Sequence, residues 1–110
     1  MKQSGYEQGV LFDVLTPLNF RVRVTQPYWN LITTVKHPVM AGKESIVKDT
    51  LLKPVQIRLS RSDPSVYLFY RQERVGRWIC AVAKRMNGEG FLITAYPTEV
   101  IKEGVPVWPI

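Results

Sequence analysis

Ile57-Arg58-Leu59-Ser60-Arg61-Ser62-Asp63-Pro64-Ser65-Val66-Tyr67-Leu68-Phe69-Tyr70-Arg71 is the stretch on which the fold turns. Two strand-like runs flank Ser60–Ser65, a segment of small polar residues and proline that reads as a hairpin turn. Alternation puts Ile57 and Leu59 on one face of the first strand, with Arg58 and Ser60 on the other. On the second strand Tyr67 and Phe69 share a face, and Val66, Leu68 and Tyr70 lie opposite. Further strand-like runs at Arg77–Lys84 and Phe91–Tyr96 extend the pair into a four-stranded antiparallel meander.

The chain before this stretch reads as its cover. Met1–Gly9 is polar and expected to be flexible. Val10–Leu15 and Phe20–Val24 read as a β-hairpin around Thr16-Pro17-Leu18-Asn19, with Arg21 and Arg23 pointing outward. Thr25 reads as a helix N-cap with Pro27 in the first turn. Tyr28, Leu31, Ile32 and Val35 then recur at the spacing of a helical stripe, which Lys36-His37-Pro38 stops. A second helix over Glu44–Leu52 has Ile46, Val47, Thr50 and Leu51 on its buried side, and Lys53-Pro54 ends it. The order β-β-α-α-β-β-β-β describes an α+β domain: an N-terminal hairpin and two helices packed on one face of the meander. Residues 1–110 form one domain with one modest core.

Composition narrows the function. The hydrophobic share of 45% is that of an ordinary globular chain. No apolar run reaches the ~18 residues of a membrane span, and Met1–Val10 has no secretory hydrophobic region, so a cytoplasmic location without membrane partners is expected. One cysteine (Cys80) and one histidine (His37) leave no intrachain disulfide and no zinc-type ligand set, and no cofactor is expected. The net charge is +6. Most of the excess sits between Pro54 and Gly90, where seven cations face three acids. Such a domain suits a polyanion or an acidic protein, and the same charge also serves as a solubilising surface.

Strand parity then sorts the sheet. Ile57, Leu59, Tyr67, Phe69, Ile79, Ala81, Ala83, Phe91, Ile93 and Ala95 fall on the helix-covered face. Arg58, Ser60, Tyr70, Lys84, Thr94 and Tyr96 fall on the other, together with Val66, Leu68, Trp78, Cys80, Val82 and Leu92. That second face suits a ligand cleft, a protein partner or a second small core, partly covered by the hairpin and the Val105–Ile110 tail.

Lys36-His37-Pro38, Arg58-Leu59-Ser60-Arg61-Ser62-Asp63-Pro64, Tyr67-Leu68-Phe69-Tyr70 and Asn87-Gly88-Glu89-Gly90-Phe91-Leu92-Ile93-Thr94-Ala95-Tyr96 occur in this order. Over roughly Phe20 to Trp108 they resemble small bacterial proteins grouped with the phage-type barnase–EndoU–colicin–RelE-like nucleases. The resemblance implies a RelE- or barnase-like layout of helices on a four-stranded antiparallel sheet. It also implies a metal-independent, toxin-like endoribonuclease with an antitoxin partner. Its matching positions are His37, Arg58, Arg61, Thr94 and Tyr96.

Metal-free RNA cleavage needs an acid and a base, and cations for the charge on the phosphorane. His37, Arg61, Lys84 and Tyr96 are the catalytic candidates; Arg58, Ser60, Tyr70 and Thr94 are the substrate-binding ones. Each has a structural alternative. His37 also suits a helix-end cap, Arg61 an ion pair with Asp63, Lys84 a strand end, Tyr70 and Tyr96 the core, and Thr94 simple β-propensity. Besides the endoribonuclease, two readings stand: a non-catalytic RNA-binding module, and a domain that binds an acidic antitoxin-like protein.

Overall fold

The computed structural model describes residues 9–110. The flexible segment expected over Met1–Gly9 lies outside them except for Gly9, whose carbonyl accepts from the Gln26 N–H. Strand β1 (Val10–Leu15) turns back into β2 (Arg21–Thr25). The turn is closed by Thr16, whose hydroxyl and N–H both donate to the Phe20 carbonyl, at 2.9 and 3.0 Å.

Thr25 caps helix α1 (Gln26–Leu31) as its type dictates: the Tyr28 N–H donates to its Oγ1 at 3.2 Å. The expected stripe does not hold beyond that point. The chain widens into a π-turn over Ile32–Lys36, then a 3-10 turn over Pro38–Met40. A π-turn bonds i to i+5, so residues four apart no longer stack. Trp29 and Ile32 are buried, whereas Leu31 is 41% and Val35 70% exposed. Helix α2 (Glu44–Leu52) buries Val47, Thr50 and Leu51, as its spacing requires.

Strands β3 (Gln56–Leu59), β4 (Val66–Arg74), β5 (Arg77–Met86) and β6 (Glu89–Thr98) are antiparallel neighbours in chain order. They do not form a sheet of their own. The chain is α+β, but its sheet is mixed and has seven strands, in the order β1-β2-β6-β5-β4-β3-β7. The hairpin is thus part of the sheet instead of a cover. Its β2 runs parallel to β6 through Val22↔Gly90 and Arg23↔Phe91. Gly90 permits this, because a Cβ there would lie 2.6 Å from the Arg21 carbonyl oxygen and 2.9 Å from the Phe20 ring. The C-terminal tail, expected to cover the second face, instead adds β7 (Val105–Trp108) beside β3.

The Phe20 ring lies across Gly90 and beside the Arg85 guanidinium, with its centroid 5.3 Å from that of Tyr67 and 6.2 Å from that of Phe69. Phe12, Val22, Trp29, Ile32, Val47, Leu51, Ile57, Phe69 and Ile79 fill the principal core. Each large apolar side chain buried there contributes roughly 1.5–3 kcal/mol. The opposite face carries a smaller core of Leu68, Tyr70, Cys80 and Val82, with Ile93, Tyr96 and Ile101 against it.

Parity fails in β6. The ladder slips between Val82↔Thr94 and Ala83↔Leu92, which leaves Ile93 as an extra residue in a β-bulge. Residues before the bulge exchange faces. Leu92 enters the principal core at 2% exposure, Ile93 joins the second core, and Phe91 pairs with Lys84 on the second face.

Candidate nucleic-acid interface

The candidate residues fall into two groups on the second face. At one margin the His37 ring lies against Tyr96, with centroids 5.4 Å apart and planes at 41°. The π-turn sets this position, since the His37 N–H closes its last bond, to Ile32 O at 2.7 Å. Tyr96 stands across from Cys80, and Cys80 across from Tyr70. Burial, with the neighbouring Cys80 thiol, raises both tyrosine hydroxyls far above their ordinary range. Burial also pushes the Cys80 thiol up to about 11, so all three hold their protons at neutral pH. The Thr94 hydroxyl oxygen is buried without a hydrogen-bond partner.

At the other end lie Ser60, Arg61 and Lys84, around the β3–β4 turn. Asp63 organises that turn: its Oδ1 accepts from the Ser65 N–H at 2.9 Å and the Ser65 hydroxyl at 2.7 Å. These bonds, chiefly the hydroxyl, hold the Asp63 carboxyl below its ordinary value, and Lys84 reinforces them from 3.6 Å. Ser60 Oγ lies 3.3 Å from Ser62 Oγ, and Arg61 is exposed. Lys84 is four residues along β5 from Cys80, which faces Tyr96, so the groups are about 13 Å apart. The structure does not bring Lys84 and His37 to a single phosphate.

Arg58 belongs to neither group. Its Nε and one terminal nitrogen donate to the carbonyls of Glu103 and Gly104, at 2.7 and 2.9 Å, and the other terminal nitrogen to Gln56. It pins the segment leading into β7. Gly104 completes that joint at φ 82°, with no room for a Cβ against the Leu59 carbonyl.

The bulge creates a feature that parity concealed. Arg23 on β2, Phe91 on β6, Lys84 on β5 and Val66 on β4 stand side by side in register across the second face. The Arg23 guanidinium lies 4.8 Å from the Phe91 ring centroid. The register sets Arg23 and Lys84 on the strands either side of the partly buried Phe91, about 4.8 Å away on each side, with the Lys84 ammonium drawn toward Asp63 at 3.6 Å. Arg23 also meets Glu89 at 3.3 Å, a carboxylate that is itself 62% exposed.

Two grooves open beside Arg23. One, of about 640 Å³, lies toward Asp13, Phe20, Arg21 and Glu89. The other, of about 290 Å³, is bounded by Arg23, Val24, Thr25, Tyr28, Phe91 and Ile93. Its end is polar, where Tyr28 Oη and Lys36 Nζ both donate to the Ile93 carbonyl, at 2.9 and 3.2 Å.

Arg23 was legible as an outward cation, but nothing in the alternation marked Phe91 as its partner. The one available signal was Gly90, since glycine inside a strand marks a close backbone approach or a bulge. Among the described residues, no three His, Cys, Asp or Glu side chains converge as metal ligands, and no helix is long and apolar enough to cross a membrane. Comparison with protein families, with curated proteins and with solved structures finds no match.

Proposed function

We propose that the chain binds RNA, with the row Arg23–Phe91–Lys84 as the contact surface and Arg61 at its margin. The carrying observation is the cross-strand register, which interleaves cations with an aromatic ring on a sheet face. Single-stranded nucleic acid is held by this combination, with phosphates on cations and bases on rings. The carboxylates already near the cations offer little resistance. Exposed ion pairs such as Arg23–Glu89 contribute about 0–1 kcal/mol, so a phosphate displaces the acid at small cost.

The test is the salt dependence of binding to a short single-stranded RNA. Each phosphate contact contributes a slope of about 0.7 in log K against log salt. Arg23→Ala, Lys84→Ala and Arg61→Ala should each make the slope shallower by about that amount. Three unchanged slopes would remove this face from the interface.

A second reading, the metal-independent, toxin-like endoribonuclease, is favoured by the contact of His37 with Tyr96. In that reading the row grips one stretch of RNA backbone, and His37 moves a proton at another phosphate on the same face. Tyr96, partly exposed, positions RNA without ionising, whereas Tyr70, expected to bind substrate, is 1% exposed and serves the second core instead.

A further inference from the structure

Between β2 and α1 the sheet face is interrupted. β2 stops pairing with β6 at Arg23↔Phe91, and α1 then runs past the open margin of β6. The groove left there, about 290 Å³, lies at the lower bound of small-molecule pockets. One side is the Arg23–Phe91 stack, and the other is Tyr28 with Val24 and Thr25. The far end is the hydrogen-bonded group of Tyr28, Lys36 and the Ile93 carbonyl, in which Lys36 Nζ also donates to Tyr28 Oη at 3.0 Å. The groove is therefore mostly apolar, with the aromatic side chains of Phe91 and Tyr28 in its walls and the Arg23 guanidinium among its lining.

Resting on the RNA reading above, we propose that this groove takes a single unpaired base, stacked against the Arg23–Phe91 pair, while its flanking phosphates lie on Arg23 and Lys84. Three observations favour a base as the occupant. Guanidinium and aromatic planes are the surfaces on which single-stranded bases stack. The positive charge at the mouth matches a phosphate-linked ligand more closely than a neutral heterocycle. The size admits one ring system but not a base pair, so a duplex reaches the row's cations without filling the groove. The chain is thereby selective for single strands through shape, and stacking makes it tolerant of sequence.

The experiment separates base from backbone. Fluorescence anisotropy would compare an abasic ribose-phosphate oligomer with the same oligomer carrying one base, on wild type, Phe91→Ala and Phe91→Trp. The one-base oligomer should bind wild type roughly 5- to 100-fold more tightly, the range for losing one base–aromatic stack. Phe91→Ala should abolish that ratio and Phe91→Trp should keep it. Because the ratio is taken within each protein, a variant's lower stability does not mimic the result. Equal, salt-dependent binding of both oligomers by wild type would overturn the base site and leave the phosphate-binding reading standing. A preference that persists in Phe91→Ala would also overturn it, by placing the base elsewhere. No binding of either oligomer, or of intact RNA, would bring down both.

Discussion

Replacing Gly90 with alanine puts a methyl group 2.6 Å from the Arg21 carbonyl oxygen and 2.9 Å from the edge of the Phe20 ring. Both contacts are about 1 Å inside the separation at which such atoms rest. The first obstacle is backbone, so it cannot rotate aside. β2 has to move off β6, and the only parallel pairing among the described strands opens with it. Overpacking of this kind costs roughly 1–3 kcal/mol, against which the stiffer unfolded chain returns about 0.4–1 kcal/mol. A net loss of about 1–2 kcal/mol lowers the thermal midpoint by about 5–15 °C in a domain of this size. The displacement also draws Arg23 away from Phe91, its neighbour in register. RNA affinity of the folded protein should therefore fall with the midpoint. Thermal unfolding followed by circular dichroism, with RNA titration well below the midpoint, measures both. A midpoint and an affinity unchanged from wild type would refute the tight docking of β2 and the placement of the interface on it.

Glu73 accepts from Lys43 and Arg77, and these bonds, the lysine's foremost, hold its carboxyl below the usual value against the opposing effect of burial. Its stabilising contribution is present above the unfolded carboxylate value near 4.5 and is lost as pH falls through the lower folded value; Glu73→Gln should cost about 1–3 kcal/mol at pH 7 and flatten the fall in midpoint below pH 4.5. Cys80, its ionisation raised by burial, behaves in the opposite sense: its contribution is complete below the ordinary thiol value near 9 and declines as pH rises toward about 11. The native thiol should resist iodoacetamide at pH 8, and labelling at the rate of a free thiol would contradict its burial. If the chain cleaves RNA, His37→Ala should reduce turnover by roughly 10²-fold with affinity little changed, and wild-type cleavage should persist in excess EDTA. Loss of cleavage in EDTA with recovery in magnesium would remove the acid–base scheme.

Where neighbouring residues decide the conformation, the sequence was sufficient. Thr25 and Pro27 mark a helix start, Lys53-Pro54 a helix end, and the Phe20–Val24 alternation an inside and an outside. The rest depended on partners far along the chain. A single extra residue at Ile93 inverts the facing of Phe91 and Leu92, and no local preference marks a bulge chosen by the strand opposite. Helix α1 likewise buries Trp29 and leaves Leu31 outward, and the π-turn that follows buries Ile32 and leaves Val35 outward. For the site, the polar residues of the second face were identifiable by parity, but their grouping was not. Arg58 was read as a phosphate ligand because its side faces away from the helices; the carbonyls of Glu103 and Gly104, brought in by β7, occupy it instead.

The parallel contact of Val22 with Gly90 also bears on the order in which the molecule is assembled. β3 to β6 are joined by short turns, so each pairing closes a small loop and forms at little entropic cost. β2 meets β6 only after both helices and three strands have been drawn between them, the kind of distant closure that slows folding. The meander with α2 against it is therefore the expected nucleus, with the hairpin expected to dock after the rate-limiting step. Val22→Ala should then accelerate unfolding and leave the refolding rate almost unchanged, while Phe69→Ala, inside the meander, should slow refolding.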